Sequence, residues 1–99
     1  YTVSNDHHNR MVDNYIRDKA HYSTSPYPLA FFSYIAGGFG SNIDPQIQSI
    51  VHDGGINGSC ITVSNIIRMV EKSETTPYTH EKLRQIFGLN RQVLISDLQ

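Results

Sequence analysis

Apolar and polar positions alternate in short blocks along this chain, each block closed by turn-forming residues. Ser4, Asn5 and Asp6 open the first. Their small polar side chains accept hydrogen bonds from free helix N–H groups, and Asp6 complements the positive end of the helix dipole. Met11, Val12, Tyr15, Ile16 and Ala20 then share one face of a helix predicted to run to about His21, with Arg10, Asp13, Asn14 and Arg17 opposite. Ser23 to Pro28 reads as a linker, because two prolines interrupt regular hydrogen bonding. Leu29–Ala36 is aromatic-rich with little alternation, which predicts a strand covered on both faces. Gly37 and Gly38 are expected to end it with backbone angles that side chains resist.

Asn42 is placed to cap a helix whose inner face is Ile43, Ile47, Ile50 and Val51. Pro45 is tolerated there, since first-turn amides lack intrahelical partners. Gly54 and Gly55 stop that helix, and Ser59 to Ile61 forms a short strand. Thr62 caps the next helix, where Val63, Ile66, Ile67 and Val70 make a core stripe at helical spacing. Beyond the polar turn Ser73 to Pro77, Thr79 caps a fourth helix with Leu83, Ile86 and Phe87 inward. Tyr78 staples against Leu83, and Gly88 ends the helix. Strands alternating with helices give an α/β arrangement: a short sheet of two to three strands flanked by about four helices. That sheet is too small to complete a fold of its class, so residues 1–99 read as one partial domain.

Composition narrows the chemistry. Hydrophobic residues are 38% and charged residues 17%, ordinary for a globular protein and too apolar for disorder. The net charge of −1 provides no strong field toward nucleic acid, so any DNA contact is local or made by residues outside this chain. The single cysteine, Cys60, excludes an internal disulfide and permits a reducing, cytoplasmic setting. Within an apolar run it reads as a packed thiol. No apolar stretch is long enough to span a membrane.

Candidate sites are few. His7 and His8 point in different directions from a helix and lack further ligands at metal spacing, so they read as a solvated pair. His52 lies near a helix C-terminus, where a partial positive charge suits the dipole. His80 reads as a surface residue. The run Gly37-Gly38-Phe39-Gly40 before a helix offers backbone amides to an anion, with Ser41 and Asn42 nearest a phosphate. It lacks the Gly-Lys-Ser/Thr ending of a nucleotide loop.

Gly37, Phe39, Asn42, Gln46, His52, Asn57, Gly58 and Val63 recur in one register with the second half of FokI-type restriction endonuclease cleavage domains, which the chain resembles. The resemblance implies the C-terminal half of a restriction-endonuclease-like, PD-(D/E)XK fold. It also implies hydrolysis of double-stranded DNA phosphodiesters, dependence on Mg²⁺, and action as a homodimer. In that family an aspartate and a later acidic (D/E)-x-K pair hold the metal and position a water. Neither can be placed here: Asp18-Lys19 and Glu71-Lys72 lack the spacing and the strand context. No catalytic or metal residue is therefore assigned, and the active-site strand is expected in the remainder of the nuclease chain, before Tyr1.

Ser41, Asn42 and Gln46 are the DNA-contact candidates. Gly40, Asp44 and Ser49 stand where the resemblance leads one to expect basic residues. The family's dimer ion pair, an acid and an arginine, corresponds to Asn9 and Asp13, so Asn9, Arg10, Asp13 and Arg17 are the candidate dimer contacts. The leading reading is a scaffold and dimerisation segment of a type II restriction endonuclease. A non-catalytic interaction module derived from the same fold is the alternative. An unrelated small α/β enzyme ranks below both, because no nucleophile–base pair can be assembled.

Overall fold

The structure is a computed structural model describing residues 1–16 and 30–99. Arg17, Ala20, the Ser23 to Pro28 linker and the Leu29 start of the first strand lie outside the described residues. Helix α1 is Asn5–Asn9, continued by a π-helical segment, Arg10–Ile16. Strand β1 (Phe31–Ala36), helix α2 (Ile43–Gly54) and strand β2 (Asn57–Thr62) follow, then helices α3 (Val63–Ser73) and α4 (His80–Phe87) and a 3₁₀ turn, Ile95–Leu98. The α/β reading holds, with four α-helices around a two-stranded parallel sheet among the described residues.

Three of the predicted caps form, and the fourth, Asn42, is corrected, because it makes no capping hydrogen bond. Ser4, Thr62 and Thr79 accept hydrogen bonds from the amides of His7, Asn65 and Lys82 at 3.1–3.2 Å. Helix α2 ends at Gly55 in the left-handed region, with φ 75°, where a side chain would be strained. Gly37 and Gly38 are different: neither has a positive φ, and a Cβ at either would meet nothing. The expectation that the exit from β1 needs glycine angles is therefore corrected. The glycine that the sheet requires is Gly58, whose Cβ would run into the ring of its strand partner Phe32.

Side chains alternate across the sheet and separate two cores. Phe32 and Cys60 join Val3, Val12 and Ile16 and the α2 residues Ile43, Ile47 and Ile50 on one face. Ile61 joins Met69, Ile86, Val93 and Leu98 on the other. The i→i+5 bonding of the π-helical segment widens its turn. Val12 and Ile16 point into the first core, while Tyr15 is 46% exposed rather than sharing that face.

Two further expectations are corrected. The strand covered on both faces is β2, not β1. Gly58, Ser59, Cys60 and Ile61 are all buried, because β2 pairs with β1 on one edge and with the segment Asn90–Val93 on the other. Among the described residues β1 has only β2 beside it, and Ile35 is 60% exposed. Of the predicted α3 stripe only Ile66 packs against the second core, while Val63, Ile67 and Val70 are exposed at 47%, 52% and 57%. The helix instead buries Asn65 and Met69 and half-buries Lys72, because Asn65 Nδ2 donates to Val93 O at 3.3 Å and Lys72 Nζ to Leu98 O at 2.6 Å. Those carbonyls need donors, and they turn the polar side inward.

In the 99-residue chain, Phe32→Ala should cost about 3–5 kcal/mol and Ile35→Ala less than about 0.5 kcal/mol. Urea unfolding followed by circular dichroism measures both. Equal losses would place Ile35 in a core that this structure does not give it.

Candidate nucleic-acid interface

The turn after β1 is fixed by the first residues of the chain. The Tyr1 amino nitrogen donates to Gly38 O at 2.8 Å, and Gly40 N donates to Tyr1 O at 2.9 Å. Gln46, on the first turns of α2, clamps the next residue but one. Its Oε1 accepts from Val3 N at 2.9 Å and its Nε2 donates to Val3 O at 3.2 Å. The side-chain amide thus replaces a strand partner for Val3, a structural use that its spacing in the sequence did not reveal.

Ser41 and Asn42 are both exposed. Asn42 occupies the N-cap position of α2 without making a capping hydrogen bond, since its backbone (φ −95°, ψ 12°) is not the extended form a cap requires. An open cleft of about 430 Å³ lies between Val3, Asn5 and His8 on one side and Asn42, Gln46 and Ser49 on the other. Of the three DNA-contact candidates Asn42 and Gln46 line this cleft, and Ser41 lies in the turn before Asn42, outside its lining. Asp44 beside them accepts from Gln92 N at 2.7 Å, so an acid here ties down the segment that borders β2.

Asn9, Arg10 and Asp13 are exposed on the outer side of α1 and its continuation, and Arg17 lies outside the described residues. Arg10 pairs with Asp6 of its own helix at 3.2 Å. His7 is exposed and His8 half-buried, and each also has a partner within the chain. His7 Nδ1 is 2.7 Å from Tyr1 Oη, with the two rings stacked, and Tyr34 Oη donates to the His7 carbonyl. His8 Nε2 is 2.9 Å from Asp53 Oδ2, joining α1 to the end of α2. His52 Nδ1 is 3.2 Å from the other Asp53 oxygen. One carboxylate shared by two imidazoles was not legible in the sequence, where the two histidines are far apart.

Electrostatics follow these contacts. Hydrogen bonds from His52 and then His8 hold Asp53 below its ordinary pKa of 3.8. Arg91 holds Asp97 down through paired bonds of 2.7 and 2.8 Å, and Leu94 N adds a third at 2.7 Å. Burial pushes the Cys60 thiol up to about 12, with Asp44 adding to the shift, which suits a packed and unreactive thiol. Burial likewise raises Tyr34 to about 12. Among the described residues no three His, Cys, Asp or Glu side chains are placed to hold a metal ion. These residues do not fit a nuclease metal centre, and none is given a step in its chemistry. No helix among them is long and apolar enough to cross a membrane.

The α/β scaffold and its turn-plus-helix cleft agree with a nuclease-like fold. The family model for the FokI cleavage domain matches residues 1–94, and the chain belongs to that family of restriction endonuclease nuclease domains. The family's substrate is DNA, and its chemistry calls for a metal cofactor. No curated protein and no solved structure matches the chain.

Asp53 and Asp97 both bind protons less readily folded than unfolded. Their stabilisation is complete above the ordinary value of 3.8 and drains as pH falls below it toward the lowered folded values. Urea midpoints taken between pH 5 and pH 2, about the span over which such a carboxylate loses its charge, should fall with pH. In Asp97→Asn that fall should be shallower. An unchanged slope in the variant would mean that the Arg91–Asp97 pair does not act in solution.

Proposed function

We propose that this chain is the scaffold and dimerisation part of a type II restriction endonuclease cleavage domain that hydrolyses double-stranded DNA with Mg²⁺. The observation that carries this reading is the family match over residues 1–94 in a chain whose described residues bring no metal-binding carboxylates together. The catalytic carboxylates and lysine would come from polypeptide outside these 99 residues. This part would buttress their strands through β1 and β2, and would present Ser41 and Asn42 to the DNA backbone. The Gln46 amide is already engaged by Val3, so its contribution would be to hold the turn in place. Exposure of Asn9, Arg10 and Asp13 supports α1 as the surface of the homodimer, with Arg17 assigned to it from sequence alone. The working compartment would be the cytoplasm, where the single thiol stays reduced.

Purified alone, the 99-residue chain should leave supercoiled plasmid intact in Mg²⁺ or Mn²⁺. Extended N-terminally through the natural polypeptide that precedes Tyr1, it should nick or linearise plasmid, and the added carboxylates should be essential. Alanine at His7, His8 or His52 should leave the chemical step of the extended protein largely unchanged. Cleavage by the 99 residues alone, abolished by one of those histidine substitutions, would overturn the scaffold reading. An extended protein that never cuts would favour the non-catalytic interaction module.

A further inference from the structure

Helix α3 carries an apolar ridge that the described residues leave open. Val63, Ile67 and Val70 stand at i, i+4 and i+7, and all three are exposed. Beside the ridge runs an open groove of about 330 Å³ between α3 and the start of α4, lined by Met69, Val70, Ser73, Pro77, Tyr78 and Leu83. The Tyr78 hydroxyl donates to Leu98 O at 3.0 Å, so what Tyr78 lends the groove is its ring. Val70 belongs to both features, as one end of the ridge and one lip of the groove. An apolar groove of this kind accepts an amphipathic helix with anchors at i, i+4 and i+7. Helix α3 is itself such a helix.

We propose that this face binds the same face of a second copy of the chain, each copy's α3 ridge lying in the other's α3–α4 groove about a two-fold axis. In an isologous contact one surface must supply both halves of the fit. Here the ridge and the groove lie side by side and supply them. A ridge seated in this way places its outer flank, the side away from its own groove, over α4 of the second copy.

Charge favours the same occupant. Glu71 follows Ile67 by four residues and edges the ridge on that outer flank. Arg84 adjoins the groove residue Leu83, and with His80 four residues earlier it forms the exposed edge of α4. The pairing therefore sets Glu71 of each copy against the basic edge of the other. Neither Glu71 nor Arg84 has an ion pair among the described residues. Helices α3 and α4 cover the second core, whereas α1 and its continuation cover the first, on the opposite face of the sheet. This contact is thus separate from the α1 surface proposed above and does not rest on the nuclease reading. Were both surfaces occupied, dimers would link into longer assemblies.

Sedimentation equilibrium of the chain over a concentration series tests the contact. The wild-type mass should climb with concentration. Val70→Glu sets an unpaired carboxylate in each groove and should weaken association on the order of 100-fold. Glu71→Arg and Arg84→Glu, each creating two like-charge contacts per dimer, should weaken it about 10-fold. All three positions are exposed, so circular dichroism should show the fold unchanged. An equal mixture of Glu71→Arg and Arg84→Glu should associate as the wild type does, because a two-fold contact sets each new arginine against a new glutamate. A wild-type chain still monomeric at about 1 mM would overturn the proposal. Association unchanged by all three substitutions would run through another surface and overturn it too. Loss in the single variants without recovery in their mixture would mean that the groove holds something other than a second copy, which also overturns it.

Discussion

Pairing of β2 on both edges is the constraint from which the rest of the structure follows. A strand flanked by β1 on one side and by Asn90–Val93 on the other cannot satisfy its backbone with water, and its four central residues are buried accordingly. That burial requires Gly58, because the Phe32 ring occupies the space a side chain would need. It also requires that the segment beyond α4 be held against the sheet. Asp44 does so by accepting from Gln92 N, Asn90 by its side-chain bond to Gly58 N at 3.1 Å, and Asn65 by donating to Val93 O. Breaking any of these ties loosens the outer partner of β2 and exposes amides that have no other acceptor.

The same requirement explains why α3 is rotated against its hydrophobic pattern. Carbonyls of Val93 and Leu98 lie over the second core and need donors, which Asn65, Lys72 and the Tyr78 hydroxyl provide. Satisfying buried acceptors outweighs burying three aliphatic side chains. An unpaired buried carbonyl costs roughly 1–3 kcal/mol, whereas a half-exposed valine or isoleucine loses only part of a transfer term of about 1.5–3 kcal/mol. The result is an apolar stripe on the surface, Val63, Ile67 and Val70, of a kind that small soluble domains ordinarily keep inside.

Much of the local structure was legible in the sequence, because caps and periodicity act over a few residues. Ser4, Thr62 and Thr79 cap as their side chains dictate, and Ile43, Ile47 and Ile50 form the inner face of α2 that their spacing required. The family was legible for a different reason, a single register of matched positions extending over most of the chain. Contacts between distant residues were not legible. Nothing near Gln46 marks it as the partner of Val3, and nothing in a His-His dipeptide separates a stacked imidazole from one bound to Asp53. Apolar content alone also misjudged β1. An unbroken apolar run records apolar character, not which edge and which face of the strand are covered.

Asp44 shows how the scaffold and the proposed DNA-facing surface would impose different demands on one helix. Asp44 lies in the first turn of α2, where a carboxylate stabilises the helix dipole and here also binds Gln92 N. The same charge repels a phosphate approaching Ser41 and Asn42. A basic residue at that position would favour the phosphate, but it would leave Gln92 N without its acceptor and oppose the dipole. The structure resolves the conflict in favour of the fold. Attraction for DNA must then come from groups that carry no structural duty in this segment, and with a net charge of −1 the chain has few of them. In the proposed function the Asn42 side chain, which makes no capping bond, would orient a phosphate already brought near by other contacts. A neutral amide would not capture that phosphate from solution by itself.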